Sequence, residues 1–221
     1  MSIKVHELVV FPSPDGRAGN PLGVVLEGAS VPPDDRQRVA AELKYSETVF
    51  VDDPTTGAIE IFTPATQLGF AGHPTVGTAW LLARQGQPVE ALRPPAGTVP
   101  VRYDADLTWI SGRPEWAPAF AFTQLASAAE VEAFPQPDAG HSYVWAWLDE
   151  AAGVVRSRSF PVDMGIAEDE ATGAAAVRLV GLLGRRLTIH QGVGSVLVAG
   201  PVADGMVELG GRVAAVREFT L

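Results

Sequence analysis

The amino-acid sequence predicts an α+β fold made of two similar halves. Each half offers several short β-rich segments around one principal apolar helix, and a glycine-bearing loop comes directly before each of these helices. This order indicates a duplication rather than a repeating βαβ sheet. With 221 residues, of which 47% are hydrophobic and 19% charged, the chain has the composition of a globular protein with a substantial core.

In the first half, turn signals and alternating apolar residues predict six strands and two helices. Asp34 and Asp35 predict the start of a helix that runs to about Leu43, because acidic residues favour the first turn. Pro74 predicts the start of the second helix, which continues to about Gln85, since proline is tolerated in a first turn. Strands are predicted at residues 3–11, 22–26, 46–51, 58–62, 99–103 and 107–110.

The second half repeats this arrangement. A turn-rich segment at residues 112–118 is the candidate boundary, which predicts one lobe at residues 1–111 and another at residues 112–221, with the last strand free to return to the first lobe. Gly173 begins the principal helix of the second lobe and Gly184 ends it. Strands are predicted at residues 143–148, 154–160, 187–189, 195–198, 206–209 and 213–219.

Charge and cysteine content exclude several classes of function. A formal net charge of −10 opposes binding to nucleic acid or to an anionic membrane surface. The chain has no cysteine, which excludes disulfides, thiolate metal sites and cysteine nucleophiles. The sequence has neither a signal-peptide pattern nor a long apolar span, and this predicts a cytoplasmic protein. Few lysines and no local pair of metal ligands are present, so we expect no cofactor.

Three ionisable side chains are the candidate catalytic groups. Alternation places Glu47 on the same strand face as Val49 and Val51, where desolvation would raise its pKa toward useful proton transfer. His73 is predicted to project from a loop as a proton carrier, and Asp169 lies at the entrance of the second principal helix. The alternatives are an exposed strand-end glutamate, a histidine that satisfies a turn and an acid that caps a helix.

Small residues leave room for a ligand at the start of both principal helices. Gly72 stands at the first entrance, and Gly173 and Ala174 stand at the second. Unpaired backbone N–H groups at a helix start, together with the helix dipole, favour an anion. We therefore predict a two-sided site for a small carboxylated metabolite.

Five segments of the sequence resemble motifs of the PhzF-like phenazine-biosynthesis family and occur in the same order. They are GNPLGVVL at 19–26, SETVFV at 46–51, FTPA at 62–65, GHPTVG at 72–77 and EDEATG at 168–173. The resemblance implies a diaminopimelate-epimerase-like fold, in which each of two similar lobes wraps a curved, mostly antiparallel sheet around a central helix. The active site then lies in the cleft between the lobes, and the protein is expected to be a homodimer.

The resemblance also implies a cofactor-independent isomerase. In that family pattern Glu47 is the general acid/base that moves a proton on a small carboxylated, amine-bearing substrate. His73 and Asp169 then position the substrate amine and assist the transfer. The substrate-binding residues implied in this way are Ser46, Gly72, Gly173 and Ala174.

Several positions depart from the family pattern. Glu170 stands where the family often has proline, Ala174 where a serine is common, and Gly69 where proline is usual. The chain is also shorter than typical relatives, and residues 191–195 form an abbreviated turn. These departures leave a second hypothesis open, a non-catalytic small-molecule-binding or regulatory protein that keeps the cleft. A metal hydrolase is a third.

Overall fold

The computed structural model describes residues 2–221, and it confirms the predicted α+β fold class with two mostly antiparallel sheets and few helices. The α-helices are α1 (Pro33–Leu43), α2 (Gly72–Arg84), α3 (Ala128–Ala133) and α4 (Gly173–Leu183). No helix formed by residues 2–221 is long and apolar enough to cross a membrane.

Six strands form the first sheet. They are β1 (Lys4–Val10), β2 (Asn20–Val25), β3 (Glu47–Asp53), β4 (Ala58–Phe62), β5 (Gln67–Leu68) and β15 (Val213–Thr220). Their order is β15-β1-β2-β3-β4-β5, and only β2 and β3 are parallel neighbours. The last strand therefore returns to pair with the first, with Lys4 opposite Thr220 and Val10 opposite Val213.

Nine strands form the second sheet. They are β6 (Ala91–Leu92), β7 (Val99–Asp104), β8 (Leu107–Gly112), β9 (Ala121–Gln124), β10 (His141–Asp149), β11 (Val154–Pro161), β12 (Leu187–Gln191), β13 (Ser195–Pro201) and β14 (Val207–Gly211). Their order is β6-β7-β8-β14-β13-β12-β11-β10-β9. The pairs β9–β10 and β11–β12 are parallel, and the other neighbours are antiparallel.

The division between the sheets differs from the predicted lobe boundary at residues 111 and 112. The chain leaves the first sheet after β5, and β6, β7 and β8 already belong to the second sheet. These three strands belong to the second sheet because β8 forms backbone hydrogen bonds with β14. The turn residues at 112–118 mark the end of a strand and a short 3₁₀ segment at Pro114–Trp116.

The principal helices are apolar because they are buried. In α2 nearly every residue from Gly72 to Leu82 is buried, and the helix contacts strands of both sheets. Helix α4 packs on β13 and β14 and also contacts α2. Helix α1 covers the other face of the first sheet, where Val39 packs with Phe50 and Phe62. Helix α2 therefore lies against both sheets, α4 lies against the second sheet, and the two central helices meet.

Helix α3 and the short strands β5, β6 and β9 were not among the predicted elements. Helix α3 is six residues long and packs on β10 and β11 through Val131. The residues at its start carry a recognisable signal, since Ser127 accepts a hydrogen bond from the Glu130 N–H and Glu130 accepts one from the Ala126 N–H. This Ser-x-x-Glu capping pattern is the feature that predicts a helix start there.

Candidate active site

The two central helices approach one another with their N-termini at Gly72 and Gly173. A Cβ atom on Gly72 would lie 2.8 Å from the Gly173 Cα, and one on Gly173 would lie 2.8 Å from the His73 backbone nitrogen. Neither helix has a side-chain cap, because the preceding residues Ala71 and Thr172 accept no capping hydrogen bond. The first backbone N–H groups of both helices therefore lie at one place, as an anion cradle requires.

Glu47 and His73 meet beside this junction. Strand β3 carries Glu47 at its first position, and α2 carries His73 in its first turn rather than in the predicted loop. Glu47 Oε2 lies 3.4 Å from His73 Nε2, and neither atom has a hydrogen-bond partner among the described residues. The His73 side chain is 3% exposed and that of Glu47 is 12% exposed. The surroundings are thus largely closed to water.

Burial sets the charges of this pair. It raises the pKa of Glu47 well above its ordinary value; the Asp169 carboxyl raises it further, whereas the neighbouring Ser46 side chain opposes the increase. Burial lowers the pKa of His73 to about 3, although a contact with the Pro21 carbonyl opposes the decrease. The imidazole is therefore neutral at neutral pH, and the 3.4 Å contact is not an ion pair.

Asp169 comes from the second lobe, and its side chain is held by hydrogen bonds. Asn20 Nδ2 donates to Asp169 Oδ1 at 2.7 Å, and Thr172 Oγ1 donates to Oδ2 at 2.5 Å. Burial raises the pKa of Asp169, these hydrogen bonds oppose the increase, and Glu170 raises the pKa further. Asp169 is linked to the segment that carries Glu47, because Asn20 donates to Asp169 Oδ1 and accepts from the hydroxyl of Ser46, the residue before Glu47.

Asn20 links the two lobes at this point, and the sequence analysis did not identify it as a site residue. The Ser46 hydroxyl donates to Asn20 Oδ1 at 2.6 Å, while Asn20 Nδ2 donates to Asp169 and, at 3.0 Å, to the Ala171 carbonyl. Asn20 is 2% exposed. Its signal in the sequence is the Gly19-Asn20-Pro21 segment, which belongs to the first of the five family motifs. A buried amide must use both its donor and its acceptor groups, and Asn20 does so by bonding to both lobes.

Gln191 fixes the backbone of the second lobe at the site and was also missed. Its side-chain Nε2 donates to the Asp169 carbonyl and to Thr172 Oγ1, both at 2.9 Å, and its Oε1 accepts from the Tyr143 hydroxyl at 3.2 Å. Gln191 and Tyr143 are fully buried. This network orients the segment that carries Asp169.

The three adjacent acids before α4 have separate roles, and none of them caps the helix. Asp169 faces the site, whereas Glu168 turns to the surface and pairs with Arg158 at 2.7 Å. Glu170 accepts hydrogen bonds from the 193–195 segment. The helix-capping alternative for Asp169 is therefore wrong, because Thr172 stands at the N-cap and its hydroxyl donates to Asp169.

The structure brings the predicted site residues together from both lobes. Glu47, His73 and Ser46 come from the first lobe, and Asp169 comes from the second. Gly72 and Gly173 are in contact, and Ala174, 8% exposed, lies in the first turn of α4. Among residues 2–221 no group of three or more His, Asp or Glu side chains is spaced to hold a metal ion.

The sequence of this chain is similar to those of known proteins. Residues 10–113 match the family model for phenazine biosynthesis-like proteins, PhzC-PhzF. The chain is 30% identical over 218 residues to the trans-2,3-dihydro-3-hydroxyanthranilate isomerase of Pseudomonas aeruginosa, an alignment that covers 79% of the chain and 77% of that enzyme. It is 47% identical to the enzyme of the same name from Pseudomonas fluorescens over 64 residues, which span only 23% of that enzyme.

Solved structures share the fold. A PhzC/PhzF protein from Clostridium difficile superposes with a TM-score of 0.80 at 18% identity, over 99% of each chain. A PhzF-family protein from Enterococcus faecalis also gives 0.80, at 22% identity, over 100% of this chain and 99% of that one. A hydroxyproline epimerase from Agrobacterium vitis gives 0.66 at 13% identity, over 100% of this chain and 92% of that one. The ordered motifs, the fold and the long alignment together establish that this chain belongs to the phenazine-biosynthesis-like PhzC/PhzF family, whose named members include isomerases.

Proposed function

We propose that this protein is a cofactor-independent isomerase in which Glu47 moves a proton on a small carboxylated, amine-bearing substrate. The observation that carries this proposal is the 3.4 Å approach of Glu47 to His73 at the junction of the two helix N-termini, with Asp169 beside them. The relatives named as trans-2,3-dihydro-3-hydroxyanthranilate isomerases support this class of reaction.

The electrostatics support Glu47 as the group that transfers the proton. A carboxyl whose pKa is raised by burial is a stronger base when ionised, and it holds its proton longer when protonated. It is therefore suited both to take a proton from one carbon and to return it to another. His73 is neutral, so it can donate or accept a hydrogen bond without adding a charge beside the substrate.

The substrate groups fit opposite parts of the site. A carboxylate would accept hydrogen bonds from the free N–H groups near Gly72, Gly173 and Ala174, and the positive ends of both helix dipoles would stabilise it. An amine would lie near His73 and Asp169. Because these two side chains are buried, we propose that substrate reaches the site when the two lobes move apart.

The test is the Glu47→Gln substitution, with trans-2,3-dihydro-3-hydroxyanthranilate as the first probe. Small carboxylic acids and amino acids in D₂O extend the probe set, and deuterium gain is followed by mass spectrometry. We expect loss of turnover by a factor of about 10² to 10⁴, because an amide cannot relay the proton. Glu42→Gln, at a half-exposed side chain of α1, is the matched control and should keep full activity.

Two results would contradict the proposal. Full turnover by Glu47→Gln would remove Glu47 from the reaction. Tight binding of a probe by the unmodified protein without any deuterium exchange would instead support the non-catalytic binding protein.

A further inference from the structure

The turn at residues 191–195 is held from two sides by charged side chains. Glu170 Oε2 accepts a hydrogen bond from the Val193 N–H at 2.8 Å, and Oε1 accepts from the Gly194 N–H at 3.2 Å. Arg156 acts on the carbonyl side, since its guanidinium donates to the His190 carbonyl at 3.0 Å and to the Gly192 carbonyl at 2.6 Å. The donors and acceptors of the turn therefore have charged partners that fix its conformation.

The same carboxylate reaches across to the first lobe through Ser195. The Ser195 hydroxyl donates to Glu170 Oε1 at 2.8 Å and accepts the Gly19 N–H at 3.0 Å. Ser195 is fully buried. One hydroxyl thus joins an acid of the second lobe to the loop that comes before β2 in the first lobe.

This path returns to the site and forms a closed ring of contacts. Gly19 precedes Asn20, whose side chain donates to Asp169 Oδ1 at 2.7 Å, and Asp169 precedes Glu170 in the chain. The ring therefore crosses between the lobes twice, once at Gly19–Ser195 and once at Asn20–Asp169. The ring connects the Glu170 side chain, through Ser195 and Gly19, to the amide that holds Asp169.

Two glycines accommodate this ring. Gly192 has φ +60°, and a Cβ atom there would lie 2.1 Å from Glu170 Oε2. Gly19 has φ +97°, and a Cβ atom there would lie 2.3 Å from Val9 Cγ1. Only glycine fits both the left-handed backbone and the space at these positions.

From these contacts we infer that Glu170 is a positioning residue for the active site: through Ser195 and Gly19 it fixes the Asn20 side chain against Asp169, and so sets the geometry of the second-lobe acid. The inference rests on the proposed function, in which Asp169 assists proton transfer. The inference also gives Glu170 a role at this position. The family often has proline there, and a proline side chain would accept none of these hydrogen bonds.

Glu170 also acts on Asp169 by its charge. It raises the pKa of Asp169, adding to the effect of burial. The other groups that face Asp169 are the Glu47 carboxyl, the Asn20 amide, the Thr172 hydroxyl and the Tyr143 hydroxyl, whose pKa Asp169 raises. Removal of the Glu170 charge by itself lowers the pKa of Asp169, whereas release of the Asn20 hydrogen bond raises it, because that bond opposes the increase in pKa.

The experiment compares Glu170→Ala and Glu170→Gln with Glu168→Ala in the whole protein without substrate. Glu168 is the matched control because it is two residues away and pairs only with Arg158 on the surface. NMR measures amide hydrogen exchange at Gly19, Val193 and Gly194, and a ¹³C titration measures the pKa of the Asp169 carboxyl. We expect exchange at Gly19 to rise at least tenfold in Glu170→Ala and less in Glu170→Gln, which keeps one acceptor oxygen.

Both Glu170 variants remove the same charge, so the pKa of Asp169 should be higher in Glu170→Ala, where the Asn20 hydrogen bond is also released, than in Glu170→Gln, and it should stay constant in Glu168→Ala. Amides of the β1–β2 ladder should keep their exchange rates, which separates a local effect from general destabilisation. Unchanged exchange at Gly19, or an equal increase in Glu168→Ala, would overturn the inference. Because no measurement uses turnover, an active Glu47→Gln variant would refute the proposed function and leave this result intact.

Discussion

At the scale of single residues, burial determines the chemistry of the site. Glu47 shares a strand face with Val49 and Val51, which belong to the main core, and this explains why its carboxyl is desolvated. His73 is 3% exposed and holds a neutral imidazole. The opposite shifts of the two pKa values share one cause, since burial disfavours the charged form of both an acid and a base.

The buried imidazole predicts an acid-sensitive fold. The pKa of His73 is about 3 in the folded state, against an ordinary value of 6.5. Its contribution to stability is therefore complete above pH 6.5 and is lost as the pH falls toward 3. Between pH 7 and pH 4 we expect the free energy of unfolding of the unmodified protein to fall by on the order of 3 kcal/mol more than that of His73→Gln, measured by urea titration.

Glu47 and Asp169 titrate in both of those proteins, so the comparison isolates His73. His141→Gln is the control, because His141 lies near the surface, where its ring contacts the Ala119 carbonyl and packs near the Phe120 ring. It should keep the pH dependence of the unmodified protein. Equal pH dependence of His73→Gln and the unmodified protein would show that the imidazole is not held neutral.

At the scale of elements, glycine sets the distance between the two central helices. Helix propensity favours alanine over glycine by up to about 1 kcal/mol in a helix interior. Steric contact opposes this at Gly72, where a Cβ atom would lie 2.6 Å from Leu209 Cδ2 and 2.8 Å from the Gly173 backbone. The backbone contact decides that alanine at this position destabilises the protein, since a backbone cannot move aside as a flexible side chain does.

Gly72→Ala is therefore expected to destabilise the protein by about 2 kcal/mol, the range of an overpacked core. Gly69→Ala is the control, because its Cβ atom would meet Ala96 Cβ at 3.7 Å, an ordinary van der Waals distance. Urea unfolding of both variants measures the difference. If Gly72→Ala proved as stable as Gly69→Ala, the two helix ends would not be in contact in solution.

At the scale of the whole molecule, one core joins the two sheets. Leu8, Val24 and Val49 of the first sheet belong to the same cluster of buried residues as Tyr143 and Leu209 of the second sheet. Helix α2 contributes to this by contacting β8 and β14 as well as β1, β2 and β3. The two lobes therefore share the apolar surface that they bury.

A shared core predicts that the lobes unfold together. We expect a single thermal transition in calorimetry, with a calorimetric enthalpy equal to the van't Hoff enthalpy within error. Fluorescence and far-ultraviolet circular dichroism should give the same midpoint. Two resolved transitions would mean that each lobe is stable by itself and that the contacts at the site contribute little.

Local sequence patterns determined most of the elements and the identity of the candidate catalytic groups. Alternation placed Glu47 on an apolar face, proline and acidic residues marked the starts of α1 and α2, and Gly184 marked the end of α4 with φ +64°. These features depend on neighbours along the chain, which is why a sequence records them. The short strands β5, β6 and β9 have too few residues to show a period.

Only the tertiary structure decided which groups meet. Asn20 lies 149 positions before Asp169, and Gly19 lies 176 positions before Ser195, yet each pair forms a hydrogen bond between lobes. The sheet to which β6, β7 and β8 belong likewise depends on β14, far along the chain. Burial and distant partners set the pKa values of Glu47, His73 and Asp169, and neither is a property of local sequence, because both arise when the two lobes pack together.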